Sequence, residues 1–306
     1  MIFSTAACAG LSRRSVVGLL ATGAGFVLLP YRIGAATSVP RAIAFDGDAL
    51  VTAIEGEIRR FAPVIGWQVL KSPGFVTALA SLPARPGEIV AGLAGGGIAR
   101  SSDGGSSWQF PGKGLPGAPV TALAASAAVP DTLYAAVAGD GLWHSTDKGA
   151  VWSLAMDRPW IGDGEREIVG LASVNTASGM GGIWIYAATE AGLIRVPDCF
   201  CRWQAIVAGD AMDALIAGGP QKPEAPLPKG EAVRALVSCL AESERLFAAM
   251  PSGLWTSADA GVNWSRSSEL NALALASHPQ NPQQLAAVTK DAVVVSRDGG
   301  TNWTKL

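Results

Sequence analysis

Histidine is almost missing from this chain, with two residues in 306. That leaves little room for a histidine-built metal site. Tyrosine is nearly as scarce, at three. Charged residues make up only 16%, and 23 basic residues face 25 acidic ones. With no basic surplus, the electrostatic case for nucleic acid binding falls away. No long amphipathic helical stretch is present, and no Cys-x-x-Cys-His pattern marks a haem attachment. What the chain does hold is 49% hydrophobic residues, 37 glycines and ten tryptophans. That is too apolar for a disordered chain.

The N-terminus reads as an address. Arg13-Arg14 precede an uncharged apolar run, Val16 to Leu29, and small residues close the segment at Gly34-Ala35-Ala36. A charged start, a short apolar run and a small-residue site make a secretory signal. Ser12-Arg13-Arg14 resembles the twin-arginine export signal, with Val16 and Val17 where that signal usually has Phe and Leu. Residues 1–36 are therefore expected to direct export to the periplasm, and an uncleaved segment would instead anchor the chain. Cleavage near Ala36 removes three basic residues and no acidic ones, and takes Cys8 away. Cys199, Cys201 and Cys239 remain. In an oxidising compartment three thiols suggest one bridge and one left over, with Cys239 pairing to Cys199 or Cys201 as the expected arrangement.

The rest of the chain repeats. Ser101-Ser-Asp103-Gly-Gly-Ser-Ser-Trp108 recurs as Ser145-Thr-Asp147-Lys-Gly-Ala-Val-Trp152, as Ser257-Ala-Asp259-Ala-Gly-Val-Asn-Trp264 and as Ser296-Arg-Asp298-Gly-Gly-Thr-Asn-Trp303. A degenerate copy keeps Asp198 and Trp203, and another keeps only Trp67. Short apolar runs precede each copy, such as Val120–Ala125, Leu133–Ala138 and Leu142–Ser145, separated by Gly and Pro turns. These read as strands. The repeat resembles the Asp box, or bacterial neuraminidase repeat, which implies one β-propeller blade per copy. Six sets of four strands follow Arg41, so residues 37–306 are expected to form one all-β, six-bladed propeller of four-stranded antiparallel blades. That gives about 45 residues per blade. Seven blades would need about 38 each, and a seventh Trp signature is lacking. Asp103, Asp147, Asp198, Asp259 and Asp298 are expected to hold turns, and the paired Trp108, Trp152, Trp203, Trp264 and Trp303 to pack between sheets.

Chemistry is harder to find. Sialidases share the resemblance, but they need a Tyr nucleophile. Tyr134 and Tyr186 sit in apolar second strands, and Tyr31 leaves with the signal. A glycosidase needs two facing carboxylates. Asp46 and Asp48, then Asp163, Glu165 and Glu167, then Asp210 and Asp213 are the candidates, and all read equally as turn residues. Gly92–Gly97 joins two strands, so it reads as a turn and not a phosphate loop. No catalytic residue, cofactor or metal is assigned.

Two insertions enlarge the spacing, at 155–167 and 205–231. Long loops on a rigid scaffold are frequent recognition sites. Pro220–Gly230 reads as a stiff, solvated arm. Arg158, Trp160, Lys222, Glu224 and Lys229 are the candidate partner contacts. Among Asp-box propellers, exported and catalytically bare chains resemble the photosystem II stability and assembly factor family. That resemblance implies a scaffold for a protein partner in a membrane or periplasmic complex. The alternative is a glycosidase or glycan-binding propeller.

Overall fold

The computed structural model describes residues 41–178, 181–208, 216, 218 and 223–306. The expected signal over 1–36 lies outside them, as do Asp210, Asp213 and Lys222. The fold is an all-β propeller of six blades.

Blade one is built from β1 (Arg41–Asp46), β2 (Ala49–Ile54), β3 (Glu57–Ala62) and β4 (Gly66–Leu70). Blade two holds β5 (Val76–Ser81), β6 (Ile89–Leu93) and β7 (Ile98–Ser101). Blade three holds β8 (Val120–Ala125), β9 (Leu133–Val137), β10 (Gly141–Ser145) and β11 (Ser153–Asp157). A small hairpin, β12 (Trp160–Ile161) and β13 (Gly164–Glu165), follows. Blade four holds β14 (Ile168–Val174), β15 (Trp184–Thr189) and β16 (Gly192–Pro197). Blade five holds β17 (Ala235–Cys239), β18 (Glu242–Met250), β19 (Gly253–Ser257) and β20 (Ser265–Ser268). Blade six holds β21 (Ala274–Ser277), β22 (Leu285–Val288), β23 (Val293–Ser296) and β24 (Thr304–Lys305). Every ladder is antiparallel between strands adjacent in the chain, so each blade is one contiguous stretch. In blades two and four the fourth strand shrinks to a single bridge, Arg100 with Gln109 and Arg195 with Gln204.

The inner and second strands explain the composition. Each is sandwiched between neighbouring blades, so both of its faces are covered. Such strands read as continuous apolar runs and not as alternation. Leu133–Val137 is buried at every position, and so is Trp184–Thr189. The outermost strand β4, by contrast, is largely exposed. The core is accordingly divided into six layers, one at each blade interface. Tyr134 and Tyr186 lie inside these layers, and burial raises both phenols above their ordinary pKa.

Candidate functional site

Six inner strands surround the axis. One residue from each forms a waist: Ile43, Leu79, Leu123, Leu171, Val237 and Leu275. These side chains border both halves of the channel, each about 130 Å³. One mouth adds Arg41, Arg234, Thr77 and Thr121. The other adds Phe45, Ser81, Ser173, Ser238 and Ser277. Several polar groups there are spent on neighbouring blades. Thr77 Oγ1 donates to Val120 O at 2.5 Å, Thr121 Oγ1 to Ile168 O at 2.6 Å, and Ser238 Oγ to Ser173 O at 2.7 Å. Arg41 faces Glu55 at 3.8 Å, and Arg234 bonds Asn271. Among the described residues that line the channel, none is a carboxylate.

The candidate glycosidase carboxylates lie elsewhere and have other partners. Asp46 accepts from Arg60 Nη1 at 2.6 Å and from Gly87 N at 2.5 Å, which ties blade one to blade two. Asp48 faces His278 Nε2 at 3.2 Å. Asp163 accepts from Arg166, and Glu165 and Glu167 both accept from Arg158. Among the described residues no group of three or more His, Cys, Asp or Glu could hold a metal ion.

No protein-family model matches the chain, and no curated protein matches it. Solved structures do. A GH74 enzyme from Niastella koreensis aligns with TM-score 0.61 and 16% identity, over 86% of this chain and 44% of its own. The GH74 xyloglucanase from Xanthomonas campestris aligns with TM-score 0.54 and 17% identity, over 85% and 45%. PorZ, described as an essential surface component of the type-IX secretion system of Porphyromonas gingivalis, aligns with TM-score 0.50 and 13% identity, over 84% and 46%. The likeness is one of fold alone. This chain spans under half the length of each of these proteins.

The repeated turns join the third strand to the fourth. In each complete copy the Ser hydroxyl donates to the Asp carboxylate, at 2.7–2.8 Å. The same hydroxyl accepts from the glycine two positions past the Asp. That glycine has φ of 85–94°, a conformation that a β-carbon disfavours. The Asp also accepts from the backbone N–H four positions on. Hydrogen bonds from Ser107 hold Asp103 down to a pKa of about 2, and bonds from Asn302 do the same for Asp298. Asp147 is lowered chiefly by the Val151 N–H. At Asp259 burial pushes the pKa up, and the Asn263 and Ser257 bonds outweigh it. A carboxylate whose folded pKa is depressed adds stability above its unfolded value, about 4, which is lost as pH falls through the folded value. Changing Asp103 and Asp298 together to Asn should therefore flatten the fall in melting temperature between about pH 4 and 2. An unchanged slope would remove these two groups from acid unfolding.

The tryptophans divide into two kinds, which the motif does not foretell. Trp152 and Trp264 are buried, at 3% and 5% exposure, while Trp108, Trp203 and Trp303 are only half-buried and Trp67 is 37% exposed. The reason is the path of the preceding linkers. After blade two the chain passes over blade three, where Lys113 O accepts from Trp152 N at 2.8 Å. After blade four it passes over blade five, where Ala225 O accepts from Trp264 N at 2.7 Å. Each linker covers the ring beneath it.

The described part of the Pro-rich segment is solvated, with Glu224, Ala225, Pro226, Lys229 and Gly230 exposed, but it lies along blade five and is not a free arm. Glu224 N and Ala225 N donate to Asn263 Oδ1, and Leu227 packs on the core layer that holds Trp264. Glu231 accepts from Ser252 N at 2.9 Å. Lys229 borders a cleft of about 570 Å³ between this segment, the β15–β16 turn and Trp264. The other insertion also changes. Ala155–Asp157 belongs to β11, and the remainder is the β12–β13 hairpin. Arg158 is held by Glu165 and Glu167 within it, so it is not a free contact. Trp160, on the same hairpin, is 60% exposed.

The cysteines also differ from expectation. Cys199 and Cys201 are bonded to each other, and Cys239 is a free thiol at 1% exposure. The reason is layering. Cys239 is enclosed with Phe247, Leu254 and Leu285 between blades five and six. The other two sit on the exposed turn of blade four.

Proposed function

We propose that this chain is an exported, non-catalytic propeller that holds a protein partner. The observation that carries the reading is the waist of the channel. A glycosidase working on the axis needs two carboxyl groups facing each other. The positions that face one another here are six aliphatic side chains. A shared fold does not bring the activity of the GH74 enzymes with it. The resemblance of the repeat to the photosystem II stability and assembly factor family supports a scaffold role in a membrane or periplasmic complex. PorZ is a propeller neighbour whose description places it at a bacterial surface.

The partner contact assigned under this reading is the β12–β13 hairpin with Trp160 at its start. Its ring is exposed on a short, ion-paired element, and an aromatic anchor on a rigid support loses little entropy on binding. The same exposed indole favours the second reading, since a flat apolar face can also stack on a sugar ring.

Fractionation and pull-down of the tagged chain from membranes tests both parts. Arg13→Lys with Arg14→Lys should leave the chain in the cytoplasm; normal export would sink the twin-arginine reading. Trp160→Ala should weaken capture of the partner by about 30-fold or more, as expected of a hot spot. Undiminished capture would place the contact elsewhere. Binding of isolated oligosaccharides, abolished by Trp160→Ala, would favour the glycan reading over the scaffold.

A further inference from the structure

The turn of blade four departs from the other repeated turns in three ways. Val196, fully buried, stands where the others have the Ser hydroxyl. Phe200 stands at the position of the left-handed glycine and has φ of 53°, a costly conformation for a residue with a β-carbon. The residues on either side of it are Cys199 and Cys201, both exposed and bonded to each other. The hydrogen-bonded lock of the four complete copies is thus absent, and a disulfide on the surface stands there.

We propose that Cys199–Cys201 is a thiol–disulfide exchange site, whose substrate class is an accessible dithiol. Exposed or strained disulfides are the exchangeable ones, whereas buried bridges resist attack. The first condition is met at this turn, where Cys199 and Cys201 are both exposed. The turn also keeps its shape without the bridge. Phe200 N donates to Pro197 O at 2.8 Å. The Phe200 ring packs against His144, with centroids 5.2 Å apart, and against Tyr134, at 6.3 Å. Opening the bond therefore leaves the two cysteines close together and able to close again.

A substrate thiolate attacks Cys199 Sγ, the S–S bond breaks, and its electron pair leaves on Cys201 Sγ. The substrate's second thiolate then attacks its own sulfur in the mixed disulfide, and the pair leaves on Cys199. The substrate dithiol loses two electrons and two protons and becomes a disulfide. Cys199 and Cys201 take them up as thiols.

Reduced glutathione serves as the probe, on the full chain, with alkylation and non-reducing mass spectrometry as the readout. The Cys199–Cys201 bridge should open at least about 100-fold faster than Cys239 becomes alkylated, because the buried thiol waits for opening of the fold. The Cys201→Ser variant should accumulate one glutathione on Cys199 when given oxidised glutathione. The Cys199→Ser, Cys201→Ser double variant should melt within a few degrees of the wild type. Opening of the bridge only at the rate of Cys239 alkylation would overturn the proposal. So would the lack of an adduct on the single variant, or a large loss of melting temperature in the double one, since either would make the bridge a structural tie.

Discussion

Trp152→Ala should melt about 6–20 °C below the wild type, read by calorimetry. The ring is buried in the layer between blades two and three, against Ile98 and Leu133. Its Nε1 donates to Gly149 O at 2.9 Å. Deleting a buried Trp costs about 3–5 kcal/mol, and a domain of this size shifts by about 2–4 °C for each kcal/mol. The linker from blade two makes the site hard to collapse. A β-carbon on Gly114 would lie 2.3 Å from Trp152 O, so backbone already presses on backbone there. Trp67→Ala supplies the contrast. Its ring is 37% exposed and rests on Phe61, so the loss should stay near 1 kcal/mol. Equal shifts in the two variants would refute the claim that the linkers decide which tryptophans carry the fold.

Asp46→Ala is the second large effect. Asp46 is almost wholly buried and accepts from Arg60 and from the Gly87 amide of the next blade. Arg60 also donates to Gly104 O at 3.1 Å, in the turn of blade two. Removing the carboxylate strands a guanidinium and an amide together. Breaking a fully buried pair costs about 3–5 kcal/mol. Arg60 keeps 23% exposure, so water screens part of this and about 2–4 kcal/mol is expected. Denaturant melts of Asp46→Ala, Arg60→Met and the double variant form a cycle. The double variant should be more stable than Asp46→Ala alone. Strict additivity would mean that the two groups do not act as a pair.

Asp46 shows where sequence reading stops. Its neighbours Gly47 and Asp48 mark a turn, and the sequence leaves it equally a turn residue or one of several candidate carboxylates. Its partners are 14 and 41 positions away, and no local pattern reports them. The blades themselves were legible, because both faces of their inner strands are buried and the complete repeated turn marks the third strand of four of them. Blade four was legible only as a degenerate copy. The Val196 and Phe200 substitutions are visible in the sequence, yet the pairing of Cys199 with Cys201 depends on which thiols the fold leaves outside. The described part of the Pro-rich segment is exposed as its composition suggests, and what the sequence does not report is its tie to Asn263, 38 and 39 positions away. Its prolines indicate stiffness, and the groove it lies in belongs to blade five. The hairpin at Trp160 was missed because two strands of two residues leave no periodic trace.

Each described blade is one contiguous stretch of chain. Here β1 and β21 meet through side chains: Ile43 and Phe45 against Ala274, Ala276 and Val288, with His278 edge-on to Phe45. The seam between the ends is therefore the same kind of joint as the other five. Among the described residues no strand ladder joins β1 to blade six. The circle behaves as six wedges of like angle, and the fit of those angles, rather than any clasp, sets how many wedges close it. Among the described strands no ladder crosses any of the six seams, so each is closed by side-chain packing.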